Sequence, residues 1–245
     1  MSKLIGKIIL TGLIETKTGL HIGGSKSSYE IGGVDLNVVK TANGQPYIPG
    51  SSLKGKLRSM LAKKEGHTDI KYDDLYIREI FGHVDTNDKE KSQITRLLVR
   101  DAFLDINDYE ARYPEEKRRT EFEYSDVKWE TQIDRSKGTA RDPRQMERVP
   151  EGCRFEYELI YNLMEDTEKI PQKLSDHLDA LYLALQLLQD DYIGGQGSRG
   201  YGKVSFVAPV MQVKMIEGKK YKTIAADQWA AAVKTFSANL SALVQ

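Results

Sequence analysis

Gly194-Gly195-Gln196-Gly197-Ser198-Arg199-Gly200-Tyr201-Gly202 sets five glycines in nine residues between a helical apolar pattern and a strand-like run. Regular structure cannot continue through such a stretch. Glycine gives up the most freedom on ordering, and it supplies the positive φ and close backbone approach that other residues resist. The chain must therefore pass here from a helix to a strand through a tight, backbone-rich loop. Arg199 adds a planar fork that matches phosphate, and Tyr201 adds a face on which a base can stack. These parts describe a loop shaped to lie against a nucleic-acid backbone, with a flexible connector as the bland alternative. The order helix–loop–strand is the reverse of that in dinucleotide motifs, and no Lys-Ser/Thr pair completes a P-loop.

The rest of the chain must supply a core around this loop. At 245 residues with 40% apolar and 29% charged side chains, the chain fits one large or two small globular domains. Lys+Arg and Asp+Glu both total 36, which argues against bulk attraction to polyanions and suits a subunit that packs against its own copies. The balance is uneven along the chain: Ser51 to Lys64 holds five basic residues and no acid. A single cysteine, Cys153, excludes an internal disulfide framework and a Cys-rich zinc site. No signal peptide or membrane-length apolar run is present, so the expected location is the cytoplasm with no membrane partner.

Leu4 to Glu15 reads as an opening strand and Gly19 to Gly33 as a glycine- and serine-rich loop. After Pro46-Tyr47-Ile48-Pro49-Gly50, Leu53, Leu57, Met60 and Leu61 recur at helical spacing, with Ser51 or Ser52 expected to cap the helix and Gly66 to stop it. Gly55 within that helix costs roughly 1 kcal/mol against alanine, which points to a close approach there. A short helical piece is expected around Tyr72 to Phe81 and a strand over Ile94 to Phe103. Residues 66–93 read as a lid-like insertion and 108–150 as a second insertion, rich in arginine near its end. Phe155, Tyr157, Leu159 and Tyr161 alternate as a strand. Leu174, Leu178, Leu181, Leu185 and Leu188 mark a long helix, followed by the glycine loop and a strand over Lys203 to Val210. Trp229 to Leu243 outlines a last helix within a C-terminal extension, 211–245. Strands before and after two long helices predict an α+β, ferredoxin-like sandwich elaborated by insertions.

Few residues offer chemistry. There is no G-x-S-x-G elbow and no H-E-x-x-H pair. His67, His83 and His177 lack ligand partners at metal spacing and read as structural or surface residues. His21 stands among glycines, where it could contact phosphate, contact a sugar or act as a base. Asp35, just after Gly32-Gly33, could hold a hydrated Mg²⁺ or another divalent cation, or help deprotonate a ribose 2′-hydroxyl. A lone carboxylate makes a poor cage, so such a metal site forms only with substrate oxygens present.

Read in order, Thr18-Gly19-Leu20-His21-Ile22-Gly23-Gly24, Ile31 to Asp35, Ile48 to Arg58, Arg100 to Leu104, Asp142 to Arg148 and the terminal glycine loop resemble the RAMP superfamily. Within it they resemble the repeated backbone subunit of type III-A CRISPR (Csm) effector complexes. The resemblance runs from about Leu4 to Phe206. It implies a single RRM-like domain over 1–245 with a protruding β-hairpin thumb, stacked in several copies along a guide RNA beside other Csm subunits. By that likeness His21, Ser51, Ser52, Lys54, Arg58, Gly195, Gly197, Arg199 and Gly200 contact RNA, as do Arg135 and Arg144 from the thumb. The family's aspartate required for metal-dependent cleavage of complementary target RNA falls on Asp35. Leu36-Asn37 departs from the Ser-Pro that often follows it. Two other readings remain beside this one: a guide-holding scaffold without chemistry, and a stand-alone ribonuclease using His21 as base.

Overall fold

The computed structural model describes residues 2–24, 35–86, 88–114, 123–225 and 231–243. Residues 31–34 of the motif ending at Asp35 lie outside them, as does Trp229 of the last predicted helix. In chain order the elements are β1 (Leu4–Thr16), β2 (Tyr47–Ile48), α1 (Gly50–Lys64), α2 (Leu75–Phe81), β3 (Leu97–Val99) and β4 (Ala102–Leu104). There follow α3 (Ile106–Arg112), β5 (Asp126–Asp134), β6 (Thr139–Arg148), β7 (Arg154–Met164), α4 (Glu165–Lys169), α5 (Pro171–Asp190), β8 (Val204–Glu217), β9 (Lys220–Ile224) and α6 (Ala231–Ser241).

The protein is mixed α and β around one antiparallel sheet, ordered β2-β4-β7-β1-β8-β9, with β3 also pairing β7. β1 sits in the middle. Its Gly6, Ile8, Leu10, Ile14 and Thr16 are buried by two-residue alternation, and it pairs with β7 on one side and β8 on the other. The predicted strand over Ile94 to Phe103 is instead two short strands broken at Arg100-Asp101, both laid against β7.

One face of the sheet is covered by helices. Ile8 and Leu10 of β1 meet Leu57 of α1, Leu181 and Leu185 of α5 and Phe236 of α6 around a small apolar space. Each leucine fully buried this way contributes about 1.5–3 kcal/mol. The predicted C-terminal extension is thus part of the main core, through Val213, Val233, Phe236 and Leu240. Likewise β8 runs to Glu217, well past the expected end at Val210, and turns back as β9. Within the lid-like insertion, α2 buries Ile77, Ile80 and Phe81. The other insertion builds the two-stranded β5–β6 hairpin, separate from the main sheet.

One expectation at α1 fails. The helix begins at Gly50 with Pro49 before it, and no side chain caps it, neither Ser51 nor Ser52. The Gly50 amide instead donates to Asp101 Oδ1 at 2.7 Å, and a Cβ at Gly50 would stand 2.3 Å from the Val99 carbonyl. Glycine is required at the turn because the β3–β4 break packs directly on it. Gly55, by contrast, has nothing of the chain within 4 Å of where its Cβ would be, so no internal neighbour explains it.

Candidate active site

The site forms where β1 ends and four segments converge: the 17–24 loop, the 35–40 segment, the base of the β5–β6 hairpin and the glycine loop. Hydrogen bonds interlock the two glycine-bearing loops. Gly195 donates to the His21 carbonyl at 2.8 Å and Gly202 to that of Gly19 at 2.9 Å. A Cβ at Gly194 would lie 2.3 Å from the His21 oxygen, and one at Gly202 would lie 2.1 Å from the Ile193 oxygen. With φ of +83° and +75° as well, both positions exclude larger residues. The loop is a fitted brace, open to solvent at Gly194 and along its 198–200 crest.

Tyr201 is not the stacking face expected from sequence. It is buried, its hydroxyl donates to Glu130 Oε1 at 2.8 Å, and Lys128 and Arg148 lie over its ring. Burial first, and then the Glu130 carboxylate, push its phenol up to about 12. Through this contact the glycine loop grips one face of the hairpin, with Arg199 4.0 Å from Glu130. Arg144 stands directly across from Glu130 in the hairpin ladder, and Arg135 is exposed in its turn. Lys128, Arg144 and Arg199 therefore gather around a single carboxylate, an arrangement that leaves positive charge to meet phosphate.

The opposite face of the hairpin holds the 35–40 segment. Along the outer edge of β6 the Gln145 amide donates to Asp35 Oδ2 at 2.9 Å and the Glu147 amide to the Leu36 carbonyl at 3.0 Å. The aspartate side chain thus stands in for a main-chain carbonyl at the end of a short parallel pairing, Leu36 with Met146. Asp35 remains exposed, and among the described residues its Oδ1 has no hydrogen-bond partner.

Sequence reasoning passed over the residue that fixes this geometry, Glu147. Its carboxylate, 1% exposed, accepts from the Val38 amide at 3.0 Å and from the Ser125 hydroxyl, and Lys40 Nζ lies 2.5 Å away. Its own carbonyl is 2.7 Å from His21 Nδ1. A carbonyl can only accept, so Nδ1 carries a proton and donates it there. His21 is buried, with Gly23 and Gly195 against its ring. The only sequence signal for Glu147 is an acid between the apolar positions Met146 and Val149.

The remaining predicted contacts are more scattered. Ser51 is exposed and Ser52 half-buried in the first turn of α1. Lys54 donates to Thr95 Oγ1 at 2.8 Å, and burial, then the nearby Arg58, hold its ammonium below the usual lysine range. Arg58 turns inward, donating to Asp73 Oδ2 at 2.7 Å and to the Gly82 carbonyl at 3.0 Å. Its guanidinium fork is engaged within the chain. Gly197 packs against the Tyr192 ring, and Gly200, at φ +83°, has open space where a Cβ would be.

Asp35 offers one hard oxygen donor, and no group of three His, Cys, Asp or Glu able to hold a metal occurs among the described residues. This donor set suits a hydrated divalent cation shared with substrate phosphate, and it does not suit a closed protein cage.

The RAMP superfamily model matches residues 13–205. The chain belongs to the RAMP superfamily. Among its relatives the CRISPR system Cms endoribonuclease Csm3 of Methanocaldococcus jannaschii is 40% identical over 214 residues, 83% of this chain and 79% of that protein. The protein of the same name from Streptococcus thermophilus is 40% identical over 205 residues, 82% and 87% of the two chains. A solved RAMP structure, the Csm3–Csm4 subcomplex of the type III-A CRISPR-Cas interference complex, aligns over 98% of this chain and 97% of that one with a TM-score of 0.53 and 26% identity. A chain of the Type III-B Cmr-beta complex bound to cognate target RNA shares the fold at 19% identity and a TM-score of 0.54, covering 84% of this chain and 61% of that one. These likenesses identify the chain as a type III-A Csm backbone subunit.

Proposed function

We propose that the protein is an RNA-guided endoribonuclease, active as a repeated subunit of a cytoplasmic type III-A complex. In this reading copies of the chain hold a guide RNA beside other Csm subunits and cut complementary target RNA at regular intervals. The sheet order supports a ferredoxin-like core: β1, α1, the β3–β4 pair, then β7, α5 and β8, with β1 and β7 central. The β5–β6 hairpin is the thumb. The observation that carries the reading is Asp35, an exposed carboxylate pinned by one oxygen to the thumb's edge amide, in a chain whose relatives are named endoribonucleases.

The thumb, rooted by Glu147 and Tyr201, separates target nucleotides so that a ribose 2′-hydroxyl lines up with its own phosphate. Asp35, oriented by Gln145, presents Oδ1 to accept the hydroxyl proton or to meet a cation. Asp35, together with substrate oxygens, would hold a divalent cation, which would supply charge neutralisation at the reacting phosphate. Lys54, Arg144 and Arg199 hold phosphates without reading sequence. His21, its ring held by the Nδ1 bond to the Glu147 carbonyl, borders the same cleft.

The test uses the assembled complex with guide and labelled complementary RNA, comparing wild type with Asp35→Ala, each with and without Mg²⁺. Regularly spaced cuts that need both the metal and Asp35 are expected. Equal cutting by the variant would move the chemistry elsewhere. Binding without cutting in either would leave a guide-holding scaffold.

A further inference from the structure

Trp129 lies in β5 on the protruding hairpin and is 61% exposed. Tryptophan is the side chain with the most to gain from burial, and a lone indole on a solvent-facing hairpin forgoes that gain. Among the described residues no ring, cation or hydrogen-bond acceptor engages it. Its position is specific. Trp129 is directly opposite Gln145, and Val127 is directly opposite Glu147. These four residues share one face of the ladder, because side chains alternate along each strand. Glu147 turns its carboxylate from that face to Val38 and Lys40, so the 35–40 segment lies on the same side. Lys128 and Glu130 point to the other side, where they meet Tyr201.

The hydrogen bonds refine this. The Gln145 amide points outward to Asp35, away from β5. Trp129 and Gln145 are therefore a non-hydrogen-bonded pair, the kind in which facing residues come closest, with Cα atoms about 4.5 Å apart. The indole and the Asp35 carboxylate are thus attached to opposite sides of one residue, Gln145.

We propose that Trp129 is a stacking platform for the target nucleotide beside the scissile phosphate, so that one ladder position sets both the base and the carboxylate. The inference rests on the endoribonuclease reading and adds how the substrate is held. Stacking suits a site whose sequence is set by a guide, since every base has a π-face. It also places the aromatic role on the thumb, where the buried Tyr201 cannot fill it. Trp129 is a positioning residue, so its loss should lower the cleavage rate while leaving guide binding unchanged.

The experiment pairs two readouts on full-length protein in assembled complex. Single-turnover cleavage is measured for wild type, Trp129→Phe and Trp129→Ala. 2-Aminopurine is placed in turn at each nucleotide along the guide-paired target, and its fluorescence is read in complexes carrying Asp35→Ala with either Trp129 or Trp129→Ala. Loss of one base–aromatic stack changes an equilibrium about 5- to 150-fold. The alanine variant is therefore expected to cut roughly ten- to a hundredfold more slowly, with phenylalanine within about threefold of wild type. One 2-aminopurine position should be quenched with Trp129 and recover in its absence. Unchanged cutting by Trp129→Ala, or fluorescence identical at every position, would overturn the proposal. So would failure of only the alanine variant to assemble, which would make Trp129 a contact between subunits. Wild-type complex that does not cut would instead count against the endoribonuclease reading, and the fluorescence would still report the stack.

Discussion

The two ends of β1 carry two ionic clusters of opposite character, separated by 13 residues of strand, roughly 40 Å. At the start, Asp166 takes bonds from both terminal nitrogens of Arg96 and from Lys173, and Lys173 also reaches Glu79 at 2.6 Å. His177 bridges Glu79 and the Tyr161 hydroxyl, and Ser2 joins through Asp166. Both carboxylates are matched with cations, and the cluster ties the N-terminus, α2, α4 and α5 together. At the other end Glu147 performs the same tying for the 35–40 segment and the thumb, but a second carboxylate, Asp35, is left at the surface with, among the described residues, one oxygen uncommitted. A closed cluster stabilises. A cluster that ends in an unmatched, oriented carboxylate can act on something outside the chain.

The largest effect should come from breaking the closed cluster. Arg96→Ala leaves the half-buried Asp166 with Lys173 and Ser2 and takes a nearby cation from the buried Glu79, and should cost about 2–4 kcal/mol, read as a lower midpoint in urea. Glu147→Ala takes the acceptor from the Val38 amide and the Ser125 hydroxyl and releases the thumb base, with a loss of about 2 kcal/mol by the same measurement. The pair separates on cleavage: per folded molecule, Arg96→Ala should cut normally and Glu147→Ala should not.

Acid should loosen the far end. Burial raises Asp166 and Glu79, but bonds from Arg96 and Lys173 to the first, and from His177 and Lys173 to the second, outweigh it and hold both below the usual carboxylate range. A folded-state value lower than the unfolded one means that the contribution is complete above about pH 5 and lost as pH falls through the folded values. Urea midpoints measured from pH 6 to pH 3 should fall in wild type, and the slope should flatten in Asp166→Asn. The smallest effect concerns α1. Gly55→Ala should stabilise by up to about 1 kcal/mol, since the helix gains a better former and its Cβ meets nothing. If RNA approaches there, guide affinity should fall even as stability rises.

Much of the fold could be read from periodicity. Leu174 to Leu188 and Phe155 to Tyr161 sit as their spacing requires, because burial imposes a repeat of about 3.6 on a helix and 2 on a strand. Asp35, His21 and the glycine loop were legible as a group, and the structure brings them to one end of the sheet. What escaped depends on distance along the chain. Arg58 looks free beside Lys54 until Asp73 arrives from 15 residues away. Tyr201, set among glycines, looks exposed until β5 and β6 cover it. Glu147 looks like one more charge in a charged segment until Val38, Lys40 and Ser125 surround it.

Asp35→Asn tests the central contrast most directly, because the amide oxygen can still accept from Gln145 while the charge is gone. Single-turnover cleavage by assembled complex and the urea midpoint of the same protein should be measured side by side. The account predicts cleavage reduced on the order of 10²–10⁴-fold with stability within about 0.5 kcal/mol of wild type. Cleavage at the wild-type rate, or a stability loss that accounts for the whole drop, would contradict it.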